Sequence, residues 1–323
     1  MIWFTLREHR AQLVTMAITA ALLAIGLAVM GTYAAAQRAA LGVDSCVPLP
    51  NTNLNCADLD VEWRQRLGPA PSILVLGLLF APALAASYIG GPLFGATFER
   101  GTHRLALTQA ISRIRWSATR IGVVLPIVFV CALVLAQFGW AVAALNGIRD
   151  GFNAFDVEGP PLVGYGLFGI AVGGLLGAFF RRAFTAMFVG LLVFAGVRWL
   201  VATELRPNYE PPLVAYGNTM TAGANVAPPG AWVLSQADVD AQDRPIAFRD
   251  IDALLREGFP PFVRAGGPTD MGAYLATLGV RQKLVYQPAE RYTKFQWIEF
   301  GLFTGLAAGC ALLTIVLVRT RDA

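Results

Sequence analysis

The sequence predicts an all-α membrane protein: six transmembrane helices, with an extracytoplasmic region of α+β or mainly irregular structure between the fifth and the sixth. Three observations carry this. The 323-residue chain is 56% hydrophobic and only 14% charged, where soluble domains carry about 25% charged residues. Its apolar residues gather into six runs of about 20, the length that crosses a hydrocarbon core. The short connections between the runs segregate basic charge to one side.

The runs are Leu13–Ala34, Ser72–Phe94, Ile121–Leu145, Leu162–Phe180, Phe184–Ala202 and Trp297–Val318. The first has a rival reading as a secretory signal, because Arg7, His9 and Arg10 precede it and Ala34, Ala35 and Ala36 follow it. Its apolar stretch exceeds the roughly 7–15 residues of a signal core, so it is read as a retained span. Pro82 and Pro126 are placed to kink the second and third spans. Gly90-Gly91-Pro92 is placed to bend or stop the second.

Charge sets the direction. With the N-terminus in the cytoplasm, the cytoplasmic pieces hold Arg7, Arg10, Arg100, Arg104, Arg113, Arg115, Arg120, Arg181, Arg182, Arg319 and Arg321 against the acids Glu8, Glu99 and Asp322. The other side holds the remaining 14 basic and 18 acidic residues. That asymmetry fits a multi-pass membrane protein with both termini inside. Residues 1–202 then form spans one to five, with an outer loop at 35–71 and a cytoplasmic segment at 96–119. Residues 203–296 form the extracytoplasmic domain, and 297–323 the last span and tail.

Several chemistries are excluded. The chain has two lysines, Lys283 and Lys294, followed by Leu284 and Phe295, so it has no Gly-x-x-x-x-Gly-Lys-Ser/Thr loop to hold phosphates. The two histidines, His9 and His103, form no His-Glu-x-x-His zinc motif. There is no Gly-x-Ser-x-Gly elbow, and no basic cluster interleaved with aromatics for nucleic acid. Catalytic, cofactor and metal residues are therefore expected to be absent. A carrier driven by protons or sodium usually keeps acids at mid-membrane, and none is placed there. Arg198 and Glu299, near the outer ends of spans five and six, are candidates for a weak ion pair. Alternatively, Arg198 snorkels to the headgroups and Glu299 faces water.

Cys46 and Cys56 share the first outer loop and close a short disulfide if that loop faces an oxidising compartment. Cys131 and Cys310 lie in apolar runs as small filler. In the larger outer segment, Asp250–Arg256 and Asp270–Leu278 are helical in pattern, with Thr269 as a cap and Gly279 as a stop. Prolines at positions that include 260 and 261 break up the rest. Gly169, Gly173 and Gly177 repeat every fourth residue in span four, as do Gly301, Gly305 and Gly309 in span six. Such stripes allow helix backbones to approach closely, within one chain or between two.

The segment between spans two and three is the most informative. Leu107, Ile111, Ile114 and Ala118 fall on one helical stripe, among Arg104, Arg113, Arg115 and Arg120. Physics alone allows an amphipathic helix on the inner headgroups or a docking helix for a cytoplasmic partner.

The run Phe98-Glu99-Arg100-Gly101-Thr102-His103-Arg104-Leu105-Ala106-Leu107-Thr108-Gln109-Ala110-Ile111-Ser112-Arg113-Ile114-Arg115-Trp116 resembles the segment after the second span in permeases of ATP-binding-cassette exporters of the type-2 class. Leu-Thr-Gln and Arg-x-Arg-Trp resemble an actinobacterial branch. Tyr286–Tyr292 and Phe295–Glu299 are similar to that branch's entry into the last span. The six-span plan with a large outer loop before the last span fits the same class. The resemblance implies a non-catalytic membrane subunit that exports a hydrophobic or amphipathic drug, peptide or lipid. It implies two copies of a separate ATPase subunit, which hold ATP and Mg, and a second permease, identical or homologous, as dimer partner in the lipid. Phe98, Glu99, Arg100, Gly101, Thr102, Arg104, Leu107, Ile111, Arg113, Arg115 and Trp116 would then couple the permease to the ATPase. The competing functions are a secondary transporter and a membrane sensor or scaffold with a ligand-binding outer domain.

Overall fold

A computed structural model describes residues 2–43, 46, 56–102, 112–146, 151–217, 228, 230–264, 266 and 270–320. Among these, six helices are long and apolar enough to cross a membrane: Arg10–Ala40, Ala70–Glu99, Arg113–Ala136, Gly159–Phe180, Ala183–Asn208 and Ala289–Thr320, here spans one to six. The chain is a multi-pass membrane protein. It divides into two compact units, Met1–Arg149 with Asn153–Val201 and Lys294–Ala323, and Asp150–Phe152 with Ala202–Thr293.

In the first unit span four is the hub. Its apolar window is 78% buried, against 22–33% in the other five spans, and it packs against spans two, three and five. The glycines of its stripe make this possible. A Cβ on Gly173 would stand 2.5 Å from the Ala86 carbonyl oxygen, and one on Gly177 2.5 Å from that of Gly91. The small residues of spans two and four thus let two backbones touch. Spans one and five turn rows of large apolar residues outward, among them Ile18, Leu22 and Ile25, and Phe184, Phe188 and Leu192. These faces suit lipid.

Span two passes through the Gly90-Gly91-Pro92 step that was expected to bend or stop it. It runs as an α-helix over Ala70–Ala85, widens into a π-turn over Ala86–Gly90, and resumes as an α-helix over Gly91–Glu99. Pro92 has no N–H for the Tyr88 carbonyl four residues back. The Gln12 side-chain amide on span one donates to that carbonyl instead, at 3.0 Å.

Span three begins at Arg113, ahead of the predicted Ile121, because Ser112 caps it and accepts the Arg115 N–H at 3.3 Å. It stops at Ala136, and a separate helix, Gly139–Asn146, takes the rest of the predicted run. Span one extends to Ala40. There the indole N–H of Trp63, from helix Cys56–Leu67, donates to the Ala34 carbonyl at 3.0 Å. The Trp63 ring is fully buried.

In the second unit, β1 (Leu213–Gly217) and β2 (Trp232–Val239) each pair antiparallel with β3 (Arg281–Gln287), which lies between them. Helix Phe248–Arg264 continues through Pro260 and Pro261, which were expected to break it. Its last turns are held from outside: Phe259 and Phe262 meet the Tyr274 ring at 5.7 and 5.0 Å. The next helix, Met271–Thr277, is capped by the Asp270 carboxylate on the Gly272 N–H at 2.8 Å. Thr269, the expected cap, lies outside the described residues. Gly279 follows that helix with φ +77, a conformation suited to glycine.

Candidate functional site

The residues flanking the proposed coupling segment form one connected node. Trp116 is buried on the first turns of span three. Its ring meets Phe94 edge-on at 5.6 Å and Phe98 at 6.0 Å, both on span two. Four residues on, one turn along the same face, Arg120 is 1% exposed. Its Nη1 donates to the Leu93 carbonyl at 2.5 Å and to Thr97 Oγ1 at 2.7 Å. Its Nη2 pairs with Glu8 of the N-terminal helix Ile2–Glu8. A buried guanidinium is tolerable because these oxygens satisfy it; removing its carboxylate partner typically costs about 3–5 kcal/mol. Spans two and three and the N-terminal helix are therefore tied together at this level.

Glu99 is the last residue of the helix Gly91–Glu99 that ends span two. Its carboxylate accepts the backbone N–H of Ala183 at 3.0 Å, the first helical residue of span five. An acid there satisfies an N–H left unpaired by the helix start and complements its dipole. Gly101 turns the chain with φ +70. Arg100, Thr102 and Arg115 are exposed and Arg113 is half-buried. Ile114 and Ala118 of the predicted stripe are exposed on span three. Arg104, Leu107 and Ile111, with His103, lie outside the described residues.

Next to this node, along spans one and two, is an apolar cavity of about 450 Å³. Spans one to four line it, with Met16, Leu23, Leu84, Ile89, Val128 and Leu162 among its walls. The size falls in the range of small-molecule sites, roughly 300–1,000 Å³.

Arg198 and Glu299 do not pair with each other; both meet Tyr165. Arg198 donates to the Leu79 carbonyl at 2.9 Å, lies 3.6 Å from Asp156, and stacks 4.6 Å from the Tyr165 ring centroid. Glu299 is fully buried, so it does not face water either. It accepts the Tyr165 hydroxyl, which also lies 3.0 Å from Asp156. Tyr165 on span four is the junction that the charge pattern did not reveal.

Gly301, Gly305 and Gly309 would meet nothing within 4 Å if each gained a Cβ, so within the described chain this stripe faces open space. Span six touches span four on another face, through Phe303 against Tyr165 and Phe168 at 4.8 and 5.5 Å. Cys46 is disulfide-bonded, while Cys131 and Cys310 are free. The side chain of Cys56 lies outside the described residues.

Six apolar spans, an apolar cavity between them and a polar node binding span ends together define a polytopic membrane protein. A family model described as ABC-2 membrane transporter related matches residues 13–206, and the chain belongs to that family. Permeases of this family are generally non-catalytic membrane subunits and typically work with ATPase subunits. No curated protein and no solved structure matches the chain.

Proposed function

We propose that this chain is the membrane subunit of an exporter complex, powered by a separate ATPase subunit that holds ATP and Mg. It would act with two ATPase copies and a second permease copy or homologue, in a bacterial cell membrane with both termini cytoplasmic. The Leu-Thr-Gln and Arg-x-Arg-Trp segments favour an actinobacterial branch. The cargo would be hydrophobic or amphipathic, in keeping with the apolar walls of the 450 Å³ cavity.

One observation carries the reading beyond family membership. The segment from Phe98 to Trp116 begins and ends on residues locked to several spans at once: Glu99 to span five, and Trp116, with Arg120 a turn on, to span two and the N-terminal helix. A push delivered there by an ATPase would reach all of them together, which is the mechanical requirement of coupling. The residues in that role are Phe98, Glu99, Arg100, Gly101, Thr102, Arg104, Leu107, Ile111, Arg113, Arg115 and Trp116.

The buried Glu299 is the one observation that favours a second reading, a proton-coupled carrier, since intramembrane acids often serve proton relays. One experiment separates the two. The full chain, purified from its own membranes and reconstituted in vesicles, should carry a P-loop ATPase with it. It should transport only with ATP. Nucleotide hydrolysis by the chain alone, or transport driven by a proton gradient without ATP, would sink the exporter reading.

A further inference from the structure

Beside this node is a second cavity, of about 510 Å³, with Glu8, His9, Gln12, Arg100, Trp116 and Arg120 among its lining residues. Among the described residues, three that line it each carry a buried nitrogen with no hydrogen-bond partner: Arg120 Nε, Trp116 Nε1 and His9 Nε2. The residues that bear them are 1%, 2% and 5% exposed. Native proteins leave few such groups unsatisfied, since each costs about 1–3 kcal/mol. Three around one cavity point to a ligand.

The chemistry of that ligand follows from the three atoms. Arg120 Nε and Trp116 Nε1 carry hydrogens and have no lone pair to offer, so they require acceptor oxygens. His9 Nδ1 lies 2.8 Å from Gln12 Oε1, while Gln12 Nε2 donates to the Tyr88 carbonyl. That arrangement puts the His9 proton on Nδ1. In the neutral ring Nε2 then accepts; in the imidazolium it donates. Arg100 and Arg120 outnumber Glu8, the one carboxylate among the described lining residues. A cationic site with two fixed donors, and a third group able to take either role, fits a phosphate. Its oxygens accept from Arg120 and Trp116, and an acidic P–OH can serve a neutral His9.

We propose that this cavity binds a phosphate group, as the headgroup of an anionic phospholipid or as free phosphate. It lies at the ends of spans one, two and three that the exporter reading puts on the cytoplasmic side. The proposal itself does not depend on export.

The test uses the full chain in detergent, with thermal unfolding followed during titration of three probes: inorganic phosphate, a short-chain phosphatidylglycerol and the matching neutral diacylglycerol. Stabilisation by phosphate and by phosphatidylglycerol assigns the site to the phosphate group alone. Stabilisation by phosphatidylglycerol but not by phosphate assigns it to a headgroup. In either case Trp116→Phe, which keeps the ring and removes the N–H, should weaken binding about tenfold, the effect of losing one hydrogen bond to a charged group. If Trp116→Phe fails to fold, line broadening of the ³¹P resonance by the wild-type chain, reversed in His9→Phe, replaces it. No shift with either phosphate probe, an equal shift with the neutral lipid, or unchanged affinity in both variants would overturn the proposal.

Discussion

The carboxylate of Glu99 accepts a hydrogen bond from the backbone N–H of Ala183 at 3.0 Å. This contact joins the end of span two to the start of span five, across 84 positions of sequence. It gives Glu99 a structural role besides any contact with a partner, and the two roles are separable.

Glu99→Ala should lower stability by about 0.5–1 kcal/mol, since the contact is exposed and acts as a helix cap. Glu99→Gln keeps an acceptor oxygen and should recover most of that loss. If Glu99 also touches the ATPase through its charge, Glu99→Gln should still fail to restore substrate-stimulated ATP hydrolysis. Comparing unfolding with hydrolysis in the two variants decides this. Wild-type stimulation and transport in Glu99→Ala would remove Glu99 from the coupling role.

The two glycine stripes should respond oppositely to added bulk. Even alanine at Gly173 puts a Cβ 2.5 Å from one backbone oxygen and 2.8 Å from the Gly90 Cα. Backbone must move, at a cost of about 1–3 kcal/mol for alanine and more for leucine. Gly305→Ala meets open space and should leave unfolding of the single chain unchanged. Its effect, if the second permease sits on span six, appears as loss of dimer in cross-linking or native mass measurement. Normal abundance and stability of Gly173→Leu would contradict the packing described here.

These contrasts show what was legible in the sequence. Hydropathy located all six spans because lipid demands long apolar helices whatever they pack against. The start of span three was displaced because Arg113 and Arg115 read as a boundary, whereas Ser112 caps a helix that already contains them. Span two crosses Gly90-Gly91-Pro92 because Gln12, far away in sequence, serves the Tyr88 carbonyl. The same limit hid the node. Arg120 counted only as one more inside charge, and nothing in its local pattern pointed to Glu8 across 112 positions. Likewise, Gly169–Gly177 and Gly301–Gly309 share one spacing, yet among the described residues only the first is covered. Periodicity defines a face; what meets that face is tertiary.

Cys46 should be inaccessible to a membrane-impermeant thiol reagent until reductant is added, because it is disulfide-bonded. With Cys56 as the proposed partner, Cys56→Ser should expose Cys46 to the reagent without reductant. The short loop limits the stability loss to about 2–4 kcal/mol. Labelling of Cys46 from the cytoplasmic side would reverse the proposed orientation, and no labelling of Cys46 in Cys56→Ser would refute the pairing.

His9 should make stability depend on pH in a definite direction. Burial pushes its imidazole below the ordinary value of about 6.5, and neighbouring Arg120 adds to this, while the Gln12 hydrogen bond and Glu8 oppose it. The unfolded chain therefore holds the proton more tightly than the folded one. Stability is complete above the ordinary histidine pKa and falls as pH drops through it towards the lower folded value. Carboxylates titrate at lower pH, so the contribution is isolated by difference: wild type should lose more stability than His9→Gln between pH of about 7.5 and 5.5. Phosphate, if it binds beside His9 as proposed, stabilises the imidazolium and should shrink that difference. Identical pH profiles for wild type and His9→Gln without phosphate would mean that His9 is hydrated and free to titrate normally, and the buried network around Gln12 would have to be redrawn.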